Sequence, residues 1–378
     1  MKDKKEKKPG RWKRVVLITL GVILALILII GACIGVYVNY LLGKIGRVDM
    51  ENESKLSSSE VEQMLSTDPD LIPVDPSESL PSLEEVTFPT EITEPSAPTE
   101  PSTETKPQTK PQPPVQTKPK PEHVTNILLV GQDRRGNTGR ARSDSMILVT
   151  FNKKAGTITL TSFMRDAYVQ IPGYKPNKLN HAFAYGGFSL LNKTLLVNFG
   201  VEVDGNVEVD FNSFKKLIDL MGGVDITLTE KEAEYLRNGS IGKYEVYAGL
   251  NRLSGEEALM YARLREIDSD YQRANRQRKV LLSLAQAYKD QPVDQMLALL
   301  EEIMGMVTTN MSNQQIWDTA LDLTPMLANA DYKTMQIPAH GTFRGGNVLV
   351  RPGLKAWFQY DIDFAANRKL LQNVFEEE

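Results

Sequence analysis

The chain has 378 residues, 41% of them hydrophobic, with a formal net charge of -4 and a single cysteine. That is apolar content enough for one or two packed domains, and the lone cysteine excludes both an internal disulfide and a cysteine-built metal site. Eight of the 44 Lys and Arg lie in the first 14 residues and the rest of the chain is acidic, so the bulk charge gives no support for a nucleic-acid binder.

Residues 1–14 carry eight Lys or Arg against only Asp3 and Glu6, and residues 15–43 carry no charge at all. A membrane-spanning helix needs roughly 20 apolar residues, whereas the core of a cleaved signal is about 7–15 residues and ends in small side chains. This run continues into Val36-Tyr37-Val38, so it reads as an uncleaved single span. The basic tail and Trp12 put the N-terminus in the cytoplasm and the rest of the chain outside. Cys33 falls within the span as a small apolar residue.

Residues 44–121 turn to Pro, Thr, Ser, Glu and Lys, with 14 of the 21 prolines between Pro69 and Pro121. Such composition predicts a disordered, partly polyproline II tether of about 3.1 Å per residue, able to reach more than about 100 Å.

Residues 122–378 read as one globular domain. Strands are expected at Asn126–Val130, Met146–Phe151 and Thr157–Phe163. The first two are near-continuous apolar runs, as in strands covered on both faces, and the turn at 152–156 makes the second and third a hairpin. Helices are expected at Phe188–Phe199, Phe211–Met221, Ser254–Leu264, Tyr271–Tyr288, Val293–Met306 and Gln314–Leu327, with strands at Val207–Val209, Val224–Leu228 and Lys333–Ile337. The fold class is α/β, a single mixed β-sheet with helices on both faces.

An antiparallel meander of the first three strands brings Asp133-Arg134, Arg142-Ser143-Asp144 and Arg165-Asp166 to one edge of the sheet. Carboxylates and arginines there could hold a hard divalent cation and the phosphates it bridges, or could form surface ion pairs. Five arginines follow between Arg263 and Arg278. Asp270, Arg273 and Gln277 share a helix face with Leu281 and Leu284, and polar groups on a core-directed face need partners or a ligand. Lys178-Leu179-Asn180-His181 and Gly186-Gly187 offer a further cation and helix-start amides for an anion. His123, His181 and His340 suggest no histidine-built metal site.

Gly131-Gln132-Asp133-Arg134, Arg142-Ser143-Asp144-Ser145, Ser162-Phe163-Met164-Arg165-Asp166, Lys178-Leu179-Asn180, Gly222-Gly223-Val224-Asp225 and the stretch from Arg263 to Gln277 resemble, in order, the motifs of the LytR-CpsA-Psr family. One departure is Met164, where the family usually has proline. The resemblance implies a phosphotransferase that moves a teichoic-acid or capsular-polysaccharide glycopolymer from an undecaprenyl-pyrophosphate carrier to peptidoglycan. It implies Mg²⁺, or alternatively Mn²⁺, on Asp133 and Asp144, and pyrophosphate held by Arg165, Lys178, Arg263, Arg265, Arg273 and Gln277. Asp270 would be the base, although neighbouring arginines would lower its pKa. The lipid chain would run in an apolar channel beside Leu190-Leu191 and Leu195-Leu196. A hydrolase using the same site, or a non-catalytic envelope regulator, is the alternative. A Gram-positive source and membrane anchoring follow from the same resemblance.

Overall fold

The computed structural model describes residues 36–66, 68–75, 77–83, 85, 119–132, 140–238, 244–289, 301–327 and 329–377. Residues 15–35 of the expected span, residues 86–118 of the Pro-rich stretch, Asp133 and Arg134 therefore lie outside the described residues, as does most of the helix expected at Val293–Met306. No helix among the described residues is long and apolar enough to cross a membrane. The chain divides into a unit ending at Ile45, helical over 36–42, and a unit running from Gly46 to Glu378.

The second unit contains, in chain order, β1 (Gly46–Arg47), α1 (Ser58–Ser66), β2 (Ile72–Pro73), β3 (Val124–Gln132), β4 (Ser143–Asn152), β5 (Thr157–Phe163), β6 (Tyr168–Val169), β7 (Asn177–Lys178) and α2 (Leu179–Phe199). It continues with β8 (Gly205–Asp210), α3 (Phe211–Leu220), β9 (Val224–Leu228), α4 (Glu230–Asn238), β10 (Gly249–Leu253), α5 (Gly255–Arg263) and α6 (Asp270–Lys289). The last elements are β11 (Val307–Thr309), α7 (Asn313–Leu327), β12 (Asp331–Ile337), β13 (Arg344–Arg351), β14 (Leu354–Tyr360) and α8 (Phe364–Phe375).

The main sheet is mixed, with strand order β1-β11-β8-β3-β4-β5-β12. The expected meander is its centre: β3, β4 and β5 pair antiparallel, and Gly156, at φ 66°, closes the turn between β4 and β5. Such a φ costs glycine little because it has no Cβ. In β3, buried and half-buried residues alternate. Leu128 and Val130 join Met146 and Leu148 under α2 and α8, the larger core, while Leu129, Ile147 and Leu160 face α6 and α7. Leu196 is 37% exposed, while Leu190, Leu191 and Leu195, expected beside a lipid channel, are buried in the larger core. These three are 1% exposed or less because they fill the space between α2 and the sheet.

Helix α2 begins nine residues earlier than its leucine pattern predicts and breaks at Gly186–Gly187, where Gly187 takes φ 61° and ψ -151°. The amides just past the break are taken by the chain itself: Phe188 N donates to Glu53 Oε1 at 3.1 Å and Ser189 N to Glu53 Oε2 at 2.7 Å. The anion expected at this helix start is therefore an internal carboxylate.

That contact corrects the reading of residues 44–121 as a tether throughout. Val48, Met50, Leu56, Val61 and Met64 pack against the larger core, and Leu56 N donates to Tyr185 O at 2.8 Å. Burial of these apolar side chains outweighs the order-opposing composition of the stretch.

Candidate functional site

The site grows from a defect in the central strand pair. Gly131 pairs with Ser145 and Gln132 with Ser143, leaving Asp144 as the extra residue of a β-bulge. A bulge re-aims a side chain. Here Asp144 and Ser145 both face a cavity, and the Asp144 side chain keeps 26% exposure.

The cavity encloses about 390 Å³ on the α6 face of the sheet. Its floor is Leu129, Gly131 and Ile147 with Val207 and Val209 of β8, and α3 contributes Phe211, Phe214 and Leu217. Helix α3 is fixed at its start by Asp210, whose side chain accepts from Ser213 N. Along α6 the lining changes from Arg273 and Gln277 to Leu281 and Leu284, so the cavity runs from polar to apolar over roughly 16 Å of helix. Arg263, Arg265 and Glu266 from the end of α5 complete the polar part. A Ser254–Glu257 capping box sets the start of α5.

The five clustered arginines divide by role. Arg263 lies 4.9 Å over the Phe211 ring, within the cavity wall. Arg273 is 3% exposed; its Nε donates to Asp270 Oδ1 at 2.6 Å and its Nη1 to the Asp144 carbonyl at 3.1 Å, tying α6 to the bulge. Arg265 makes no side-chain hydrogen bond or ion pair among the described residues. Partial burial, then the like charges of Arg165 and Arg273, hold its pKa below the ordinary value. Arg276 is instead structural: it grips Asp268 with two bonds of 2.7 Å, donates to Leu264 O at 2.6 Å and lies 3.3 Å from Glu232. It thereby fixes the turn that follows Arg263 and carries Arg265. Arg278 donates to Ser162 Oγ at 2.7 Å.

Arg165 stands one side chain behind the wall. Its Nη1 is 2.9 Å from Asp144 Oδ1, and its Nε is 3.4 Å from Asp166 and 3.9 Å from Asp270. Burial works against its charge, but Asp166, Asp270 and Asp144 outweigh it and raise the pKa. Burial likewise opposes ionisation of Asp166, and Arg165 with Lys178 reverses that, lowering its pKa. Asp270 Oδ2 is buried without a hydrogen-bond partner among the described residues.

The structure thus brings together Asp144, Arg165, Arg263, Arg265, Asp270, Arg273 and Gln277. Lys178 stands apart from the cavity wall: its buried ammonium is 2.9 Å from Asp166, 3.7 Å from Asp70 and 5.1 Å over the Phe358 ring. Asp133 lies outside the described residues. Among those described, no group of three or more His, Cys, Asp or Glu is arranged to hold a metal ion. Asp144, turned into the cavity by the bulge, is an oxygen donor of the kind a hard cation takes alongside water and phosphate oxygens. Sequence reasoning missed Asp166 as the pivot of the buried pairs and missed Phe211 and Phe214. The spacing of Phe211, Phe214 and Leu217 on one helix face was the available signal.

The LytR_cpsA_psr family model matches residues 89–357. The chain is 40% identical over 164 residues to the polyisoprenyl-teichoic acid–peptidoglycan teichoic acid transferase TagT of Bacillus subtilis, spanning 42% of this chain and 51% of that protein. It is 32% identical over 238 residues to the correspondingly named TagU of Bacillus cereus, spanning 60% and 72%. The structure of the LytR-CPS2A-psr family protein YwtF (TagT) with bound octaprenyl pyrophosphate lipid is similar at TM-score 0.51 and 28% identity, over 70% of this chain and 93% of that one.

Proposed function

The chain belongs to the LytR-CpsA-Psr family, and from that premise we propose that it transfers a glycopolymer of the teichoic-acid type from a polyprenyl-pyrophosphate carrier to peptidoglycan. The observation that carries the proposal is the cavity itself, with arginines at one end and leucine, valine and phenylalanine along the rest. A polyprenyl pyrophosphate has the same two-part chemistry: a multiply charged head and a long apolar chain. The relatives TagT and TagU are named for this transfer, and a family structure holds such a lipid.

In the transfer, an acceptor hydroxyl oxygen bonds to the sugar-side phosphorus. The bond from that phosphorus to the bridging oxygen breaks, and lipid monophosphate leaves. Little covalent chemistry falls to the protein; positioning and charge neutralisation carry the rate. Arg263, Arg265 and Arg273 receive the pyrophosphate oxygens, and Gln277 orients them. Arg165 joins them once phosphate oxygens displace it from Asp144. Asp270 accepts the hydroxyl proton on Oδ2, the oxygen without a partner. Lys178 keeps Asp166, and through it Arg165, in place. Asp144 and Asp133 would hold Mg²⁺, which when bound supplies further neutralisation across the two phosphates.

The same proposal takes residues 15–43 as the single membrane span and residues 44–378 as extracytoplasmic, in a Gram-positive envelope. The basic N-terminal tail supports that orientation. The direct test is transfer by the full chain in detergent, comparing wild type with Arg165→Ala and Asp144→Ala. Saccharide joined to peptidoglycan oligomers by wild type, and lost in both variants, is the expected result. Phosphate release without transfer would point to a hydrolase instead.

A further inference from the structure

Residues 46–85 precede the family match and contribute nothing to the cavity wall, yet their acidic side chains end in the same charge network. Asp68 Oδ1 lies 2.6 Å from Arg142 Nη1, and Asp70 Oδ2 lies 3.4 Å from that nitrogen and 3.7 Å from Lys178 Nζ. Lys178 continues to Asp166 at 2.9 Å, Asp166 to Arg165 at 3.4 Å, and Arg165 to Asp144 at 2.9 Å. A second arm is covalent, because Arg142 immediately precedes β4, two residues before the bulged Asp144.

We propose that Asp68 and Asp70 are positioning residues of the pyrophosphate site, acting on Arg165 and Asp144 through Lys178 and Arg142. The inference rests on the donor reading above. Asp166 is shared between two buried cations, Lys178 and Arg165. With Asp70 beside it, Lys178 has a second carboxylate, so Asp166 can be held at a fixed distance from Arg165. Remove Asp70 and Lys178 draws on Asp166 alone, since a buried ammonium needs compensation. Asp68 fixes Arg142 and so steadies the strand end that aims Asp144.

The segment is built to deliver these carboxylates. Glu53 caps the second half of α2, and Tyr174 Oη donates to Leu56 O at 2.7 Å. Asp68 is also 3.4 Å from His181, which stacks on Tyr185 at 5.6 Å. Coupling to outer partners is a known way for a scaffold to tune residues that touch a ligand, at about 10–100-fold in affinity or activity where measured for metal sites.

The test is binding of octaprenyl pyrophosphate to the full chain in detergent, for wild type, Asp70→Asn, Asp68→Asn/Asp70→Asn and Asp70→Glu, each also in an Arg165→Lys background. We expect the double variant to bind about tenfold more weakly than wild type, Asp70→Glu to recover part of the loss, and the loss to shrink to about twofold in the Arg165→Lys background, as coupled positions do. The same loss in both backgrounds, or wild-type affinity in the double variant, overturns the inference while leaving the donor reading intact. A wild-type chain that binds no polyprenyl pyrophosphate overturns both. Should the double variant fail to fold, Asp70→Asn alone carries the test, because Asp68 remains on Arg142.

Discussion

Arg265 and Arg276 belong to one arginine-rich stretch, and nothing in composition separates them, yet their surroundings assign opposite work. Arg276 is 2% exposed and held by Asp268, Glu232 and a carbonyl, so Arg276→Ala should destabilise the fold by about 3–5 kcal/mol in denaturant unfolding, leaving the buried Glu232 carboxylate without its cation. Arg265 faces two like charges, so Arg265→Ala should leave the unfolding midpoint unchanged or raised. The same variant should lower transfer about 10²–10³-fold, as losing one group that stabilises developing charge does. His181 supplies a pH signature. Burial lowers its pKa in the folded chain, so the unfolded chain, with a value near 6.5, takes up a proton first. The sign follows: stability present above about pH 6.5 falls on acidification, and His181→Gln should flatten that slope in unfolding curves measured between about pH 7.5 and 5.

At the scale of elements, β3, β4, β5 and β9 were legible because their apolar runs and turn residues agree with the sheet that forms. The Arg273–Gln277 face was legible for the same reason, since helical spacing alone puts those side chains with Leu281 and Leu284, while Asp270 sits behind the wall on Arg273. The bulge at Asp144 was not, because it depends on the register of two strands and not on either sequence. The break in α2 was half visible: Gly186-Gly187 marked a helix start, but the carboxylate that caps it comes from Glu53, far back in the chain. A Cβ at Gly187 would stand 1.9 Å from Glu53 Oε1, on a backbone that glycine tolerates best. Gly187→Ala should therefore cost about 1–3 kcal/mol by thermal or denaturant unfolding. On α6, Leu284→Trp would fill the apolar end of the cavity. It should weaken binding of octaprenyl pyrophosphate about tenfold while sparing inorganic pyrophosphate, because each buried methylene of the chain contributes about 0.8 kcal/mol.

For the molecule as a whole, the Pro-rich composition concealed a boundary. Leu56, Val61, Met64, Leu71 and Leu83 all pack into cores, and that run of apolar residues, sparse between 86 and 121, was the signal that the folded unit begins near Gly46. The central claim concerns the whole chain acting on two large substrates, so the decisive measurement is made on it intact. Full-length protein is incubated with Mg²⁺, a polyprenyl-pyrophosphate-linked saccharide and peptidoglycan oligomers, and the products are separated by mass. Saccharide joined to peptidoglycan through phosphate, in equal amount with lipid monophosphate and lost in Arg165→Ala, is the predicted result. Lipid monophosphate and free saccharide phosphate, with the peptidoglycan unmodified, would contradict it.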